Sequence, residues 1–199
     1  LNMLQLTQNL ISGNLELTEV PVPSIYDGEI LVRNYYSVIS PGTEENKIVT
    51  ARKGIIAKAK EKPEQVKKVI ESFRTEGIHS TYKKVMNKLD ALFPLGYSSS
   101  GIIEEVGKSV GGFKKGDRVA CAGAGIANHS EIVSVPKNLA VSIPDKVGFR
   151  DAAYTTIGAI ALQGVRQADL RLGESCAVIG LGMLGQLTVQ LLKASGVKV

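Results

Sequence analysis

Three glycines near the end of the chain restrict its fold more than any other feature. Gly180, Gly182 and Gly185 stand in the spacing G-x-G-x-x-G, after the apolar run Cys176-Ala177-Val178-Ile179. Leu187, Val189, Leu191 and Leu192 then continue as a helix, which Ser195-Gly196 closes before a second apolar start at Val197-Lys198-Val199. Strand, glycine turn, helix and strand is the setting that a dinucleotide fingerprint needs. The first glycine permits the tight turn, the second lets backbone approach a pyrophosphate, and the third lets helix and strand pack closely. The free N–H groups at the helix start then meet phosphate. Gly180, Gly182, Met183, Leu184 and Gly185 are therefore the candidate cofactor-binding residues, with a packing-only glycine turn as the plain alternative. Residues 176–179 are expected to form a buried parallel strand.

A doubly wound domain needs several more strands than this segment holds, so most of the 199 residues must fold in another way. The remaining strands are expected beyond Val199. With 44% hydrophobic residues the chain has enough apolar content for a globular core, and no apolar run approaches the roughly 20 residues of a membrane span. Leu1-Asn2-Met3-Leu4-Gln5 lacks the basic region and apolar core of a signal peptide. Two cysteines, Cys121 and Cys176, form neither a disulfide framework nor a zinc-knuckle spacing, and both fall in apolar segments. They read as small core residues, and a reducing cytoplasm is the expected setting.

The net charge of +5 is concentrated in one place. Residues 45–93 carry twelve Lys/Arg and six Asp/Glu, whereas the rest of the chain holds twelve and thirteen. In this segment Val66, Val69, Ile70 and Phe73 follow Pro63 at helical spacing, and Tyr82, Val85, Met86, Leu89 and Leu92 follow Ser80. A weaker third helix falls over 44–59. The cations alternate with apolar positions and acids, with little aromatic interleaving, so a solvated helical face is expected and nucleic acid is not. Selection of an anionic substrate is the alternative.

Around this helical insertion the pattern is that of β structure. Leu4, Leu6, Leu15 and Leu17 alternate about Ser12-Gly13-Asn14, which predicts a hairpin. Val20-Pro21-Val22-Pro23 reads as an extended connection, and residues 29–36 as a strong strand. Further strands are expected at 101–107, 117–120 and 130–135, separated by Gly111-Gly112 and Lys115-Gly116, as in a small barrel or sandwich. Residues 150–168 read as a helix apolar on most faces and hence buried.

Several of these pieces, in order, resemble the medium-chain dehydrogenase/reductase family. They are Gly96 with Gly101-Ile102-Ile103-Glu104-Glu105-Val106-Gly107, Phe113-Lys114-Lys115-Gly116-Asp117-Arg118-Val119, His129-Ser130-Glu131-Ile132-Val133-Ser134-Val135-Pro136, the helix with Gly158, and the glycine fingerprint. The resemblance implies an α+β chain: a GroES-like β-barrel with a helical insertion, followed by the first β-α-β portion of a Rossmann domain. Residues 1–149 would be the GroES-like substrate domain, with the insertion at 45–93, and 150–199 the linking helix and the start of the dinucleotide-binding domain. The implied activity is hydride transfer between NAD or NADP and an alcohol or carbonyl, sugar-like substrates included. Ser40-Pro41-Gly42-Thr43-Glu44, the basic insertion, and Pro94-Leu95-Gly96-Tyr97-Ser98-Ser99-Ser100-Gly101 look like a narrower bacterial subgroup. In it, such a half is fused to a glucose–fructose oxidoreductase/inositol dehydrogenase-like half. That implies a longer protein, a homodimer through later Rossmann strands, and an inactive fragment when these residues stand alone.

Zinc-dependent members of the family bind their metal through Cys, His and Cys. The matching positions here are Pro41, Tyr97 and Thr156, none of which supplies thiolate or imidazole. The four-cysteine structural zinc lobe has no counterpart either, so no zinc is expected. Thr43 falls where the family places a proton-relay hydroxyl, Tyr97 brings a phenol to an old ligand position, and Glu44 could act as base or orienter. Thr43, Tyr97 and Glu44 are thus the candidate catalytic residues. Their plain alternatives are a turn residue, a filler of the metal's void, and a helix cap. His79 reads as exposed or capping, and His129 as a structural hydrogen-bonding residue. The second functional reading is a degenerate, non-catalytic binding module.

Overall fold

A computed structural model describes residues 1–9, 12, 14–40, 42, 92–171 and 173–199. It divides into two compact units: Leu1–Gln5, Glu19–Ser40 and Gly96–Val199 in one, Leu6–Thr18 and Pro41–Leu95 in the other. The helices expected within 44–91, with His79, lie outside the described residues, as do Pro41, Thr43 and Glu44.

The first unit is built on a five-stranded antiparallel sheet. Its strands are β3 (Glu29–Ser37), β5 (Ser98–Val106), β6 (Arg118–Ala122), β7 (Ile132–Pro136) and β8 (Ala140–Ser142), in the order β7-β3-β5-β6-β8. The alternation along β3 explains both of its faces. Ile30 and Val32 join Ile103, Val119, Cys121, Ala127, Val133 and Val135 in the main core. Leu31 points the other way and packs with Met3 and Ile132, covered by Val20, Val22 and Ile25. The segment read as an extended connection thus shields the outer face of β3. Between Asn34 and Tyr36 the β3–β5 register slips, and Tyr35 is the extra residue. A bulge re-aims its side chain, and the Tyr35 ring stacks on Phe149 with centroids 4.8 Å apart. The Arg118 guanidinium lies over the same Phe149 ring, 4.6 Å from its centroid.

Two helices follow the sheet, α1 (Phe149–Ala152) and α2 (Thr155–Gln167). The expectation of burial on most faces is corrected: only Ile157 and Ala161 of α2 are buried, and Ile160 is half exposed. One helix stripe is enough to cover one sheet. After the turn at Gly173 comes α3 (Met183–Ala194), closed by Gly196 at φ +77. Helix and closing turn stand where the periodicity places them. The flanking strands do not. Residues 176–179 are not a ladder strand, and Ser175 and Lys198 form a single parallel bridge. Val178 is half-buried and Ile179 is 100% exposed, which corrects the buried-strand expectation. A parallel strand is buried when neighbours flank both edges and helices cover both faces, and among the described residues this segment has a single bridged neighbour.

In the second unit, Leu6–Thr18 supplies the hairpin ends of β1 (Asn2–Asn9) and β2 (Leu15–Pro21), and β4 (Leu92–Pro94) pairs beside β1. The hairpin is present, but its buried side chains are Thr7 and Gln8, while Leu15 and Leu17 face solvent. Thr7 Oγ1 lies 2.6 Å from Thr18 Oγ1 and donates to the Glu16 carbonyl, so hydroxyl bonding occupies the inward position. Leu92, expected on a helix face, is in strand β4 opposite Asn9. Phe93 precedes Pro94, and the residue before proline is pushed out of the helical region.

Candidate functional site

Tyr97 is positioned by three neighbours in chain and space. Gly96 before it has φ +93, a conformation that suits glycine. The Tyr97 carbonyl accepts the Gly123 N–H at 3.0 Å. Its half-buried side chain packs on the cluster of Val38, Ala153 and Ile157. Met183 and Leu187, from the first turns of α3, pack on the same cluster. The structure therefore brings the candidate phenol and the helix start of the glycine fingerprint onto one apolar support.

The serines after Tyr97 bolt that support together. Ser98 Oγ donates to the Ala153 carbonyl at 2.5 Å, and Ser100 Oγ to the Phe149 carbonyl at 2.6 Å. Both serines are fully buried, as is Ser99. Sequence reasoning missed them, although Ser98 and Ser100 share a strand face and buried serine needs a partner. Thr156, matched by the sequence resemblance to the third zinc-ligand position of the family, donates its hydroxyl to the Cys121 carbonyl at 3.2 Å. Cys121 itself is sealed in the core, and burial pushes its thiol up to about 12. It is a packing residue, as expected. Cys176 is half-buried rather than sealed in a strand. A crevice of about 480 Å³ between α2 and the β6–β8 edge is lined by Cys121, Thr156 and Ile160, but by neither Tyr97 nor the fingerprint.

His129 is half-buried, and its Nδ1 lies 2.8 Å from Ser37 Oγ. The hydrogen-bonding role expected of it is what the ring performs. Thr43 and Glu44 lie outside the described residues, so Tyr97 is the one candidate catalytic residue whose placement is defined.

At the fingerprint, Gly180 has φ +95, and a Cβ on Gly185 would fall 1.8 Å from the Gly180 carbonyl oxygen. Turn and helix are pressed together as closely as two backbones allow. A Cβ on Gly182 would meet nothing within 4 Å, so the space before this glycine is open. Gly182 caps α3 with no side-chain hydrogen bond, which leaves first-turn N–H groups for an outside acceptor. Gln186 Nε2 donates to the Leu181 carbonyl at 3.1 Å and braces the loop. Met183 turns its side chain inward to the shared cluster, and Leu184 turns outward, 46% exposed. The residues present fit a dinucleotide pyrophosphate: a left-handed first glycine, an open second and an obligatory third.

Comparison with known proteins bears on both regions. Residues 69–145 match the family model for the Alcohol dehydrogenase GroES-like domain. The chain is 32% identical over 126 residues to (R,R)-butanediol dehydrogenase of Bacillus subtilis, covering 51% of this chain and 36% of that protein. It is 32% identical over 108 residues to D-guloside 3-dehydrogenase of Escherichia coli, covering 54% of this chain and 30% of that one. Among solved structures, the quinone oxidoreductase from Coxiella burnetii superposes with a TM-score of 0.69 at 19% identity. That superposition covers 99% of this chain and 55% of the other, so the two share a fold. The chain thus covers about a third of the length of these two curated relatives. Among the described residues no helix is long and apolar enough to cross a membrane.

Proposed function

We propose that this chain is the substrate-shaping and cofactor-anchoring part of an NAD(P)-dependent oxidoreductase of the medium-chain type, working without zinc on an alcohol or carbonyl. The observation that carries this reading is the finished glycine turn, with Gly185 against the Gly180 carbonyl and open space at Gly182, on the same apolar cluster as Tyr97. Residues 1–149 would shape the substrate pocket and 150–199 would begin the dinucleotide-binding domain. The Gly182–Gly185 backbone would hold the pyrophosphate. The nicotinamide, when bound, supplies hydride acceptance and donation.

The chain's own residues handle the rest. Tyr97 presents a phenol that can hydrogen-bond a substrate oxygen, receiving the alcohol's proton as its own O–H proton leaves, and running the same exchange backwards when the carbonyl is reduced. Thr43 would pass that proton on, and Glu44 would accept or orient it. Zinc independence rests on ligand chemistry: Pro41 and Tyr97 offer no thiolate or imidazole, and the Thr156 hydroxyl is engaged with the Cys121 carbonyl. A sugar-like substrate is supported by similarity to a D-guloside dehydrogenase. Fusion to a second oxidoreductase-like half rests on the Ser40-to-Glu44 and Pro94-to-Gly101 motifs alone.

The test is titration of the full-length protein with NADH and NADPH, followed by fluorescence of the reduced nicotinamide. Saturable binding of one form is expected, and Gly182→Val should abolish it while far-UV circular dichroism stays unchanged. Failure to bind either form would overturn the proposal in favour of a non-catalytic binding module.

A further inference from the structure

One imidazole, that of His129 in the loop before β7, touches both chain segments that hold Tyr97. Ser37 ends β3, and its Oγ lies 2.8 Å from His129 Nδ1. The next residue, Val38, donates its N–H to the Ser98 carbonyl at 3.0 Å and belongs to the cluster on which Tyr97 packs. On the other side stands Gly96, immediately before Tyr97. A Cβ there would meet the His129 backbone N at 2.7 Å and Nδ1 at 2.9 Å, so the ring fills the space a Gly96 side chain would need.

The loop carrying the imidazole is itself fastened. Asn34 Nδ2 donates to the carbonyls on both sides of His129, Asn128 O at 3.3 Å and Ser130 O at 2.8 Å. Asn34 and Ser37 both belong to β3, so one strand fixes the backbone of His129 and the ring of His129 separately. A residue held this firmly, with its polar atom on one segment and its bulk on the other, sets the distance between them.

We propose that His129 is a positioning residue for Tyr97: the imidazole, bonded to Ser37 and seated against Gly96, spaces the two segments between which the phenol is held. This rests on the reading of Tyr97 as the group that handles the substrate proton. Misplacement of a reacting group by about 1 Å can cost roughly a hundredfold in rate, whereas the glycine fingerprint binds through backbone elsewhere.

The experiment uses three variants of the full-length protein. His129→Leu keeps bulk and loses the hydrogen bond, His129→Asn restores a polar atom near the position of Nδ1, and Ser37→Ala removes the partner. In His129→Leu, kcat should fall about ten- to a hundredfold with KM for the dinucleotide within about twofold. His129→Asn should recover most of the loss, and Ser37→Ala combined with His129→Leu should be no worse than His129→Leu alone. An activity-independent readout is 3-fluorotyrosine placed at position 97. Its single fluorine resonance should broaden or split in His129→Leu and sharpen again in His129→Asn. Unchanged kcat together with an unchanged resonance overturns the proposal, as does an equal fall of kcat and dinucleotide affinity that Asn fails to rescue. If the wild type binds no dinucleotide while the resonance still responds, the positioning role stands and the oxidoreductase reading falls.

Discussion

In the five-stranded sheet β3, β5 and β6 each have a neighbour on both edges, and Ile30, Val32 and Val119 are sealed from solvent. In residues 173–199 the chain has one parallel bridge, Ser175 to Lys198, and Ile179 stands fully exposed beside a complete glycine turn. The two regions separate two kinds of structural demand. A turn such as Gly180 to Gly185 is decided by atoms a few residues apart, so it is finished as soon as its own residues are in place. Burial of a parallel strand depends on neighbours distant in sequence. The proposed function follows the same division: phosphate anchoring would be local to the turn, and the handling of a substrate proton at Tyr97 would require the assembled sheet.

The contrast is broken most severely at Gly185. Gly185→Val would drive a side chain into the Gly180 carbonyl, and dinucleotide affinity of the full-length protein should fall by about a hundredfold or more, read by isothermal titration. The sheet should keep its circular dichroism. A variant that still binds tightly would mean that the turn is not the anchor.

Gly96→Ala carries the test to the sheet side. A left-handed φ held by a non-glycine residue costs about 1–3 kcal/mol, and the His129 backbone leaves no room for the new methyl. Denaturation in urea should show at least that loss, whereas Gly111→Ala, with nothing within 4 Å and no positive φ, should show almost none.

A smaller effect is expected at Cys121 and depends on pH. Its thiol stands near 12 in the folded chain against an ordinary 9.0, because burial opposes the thiolate. The unfolded chain therefore releases this proton first as pH rises. The stability that the buried thiol contributes is intact below about pH 9 and is lost progressively up to about pH 12. Unfolding in urea at about pH 8 and about pH 10.5 should show this alkaline decline, and Cys121→Ala should flatten it. Under native conditions iodoacetamide should label Cys176 before Cys121.

The smallest effect belongs to Ile179. With its side chain wholly in solvent, Ile179→Ser in the 199-residue chain should alter stability by no more than about 0.5 kcal/mol. A loss of several kcal/mol, as for a core isoleucine, would show the strand to be buried after all and erase the contrast between the two regions.

What could be read in advance follows the same line. Strands β3, β5, β6 and β7 were legible because alternation and glycine turns are signals carried within each segment. Leu15 and Leu17 were legible as strand residues but not as outward-facing ones, since the inward side is decided by the Thr7 and Thr18 hydroxyls across the hairpin. Leu92 lies at helical spacing from Leu89, yet it pairs with Asn9, a partner more than eighty residues away. At the site, the glycine motif and Tyr97 were visible in sequence. The buried Ser98 and Ser100 and the link from Ser37 to His129 were not, because each needs a partner from another element to make sense. Thr43 and Glu44 remain candidates on their motif alone.

The bulge at Tyr35 has a consequence beyond its stacking on Phe149. Up to that point the even-numbered residues of β3, Val32 opposite Ile103 and Asn34 opposite Gly101, look toward the main core. One inserted residue inverts the parity. Beyond it Ser37, an odd position, stands opposite Ser99 and takes the inward phase. Without the insertion Tyr36 would occupy that phase and the hydroxyl would face away from His129. A single extra residue in the strand's count thus selects which chemistry, phenol or small alcohol, meets the imidazole.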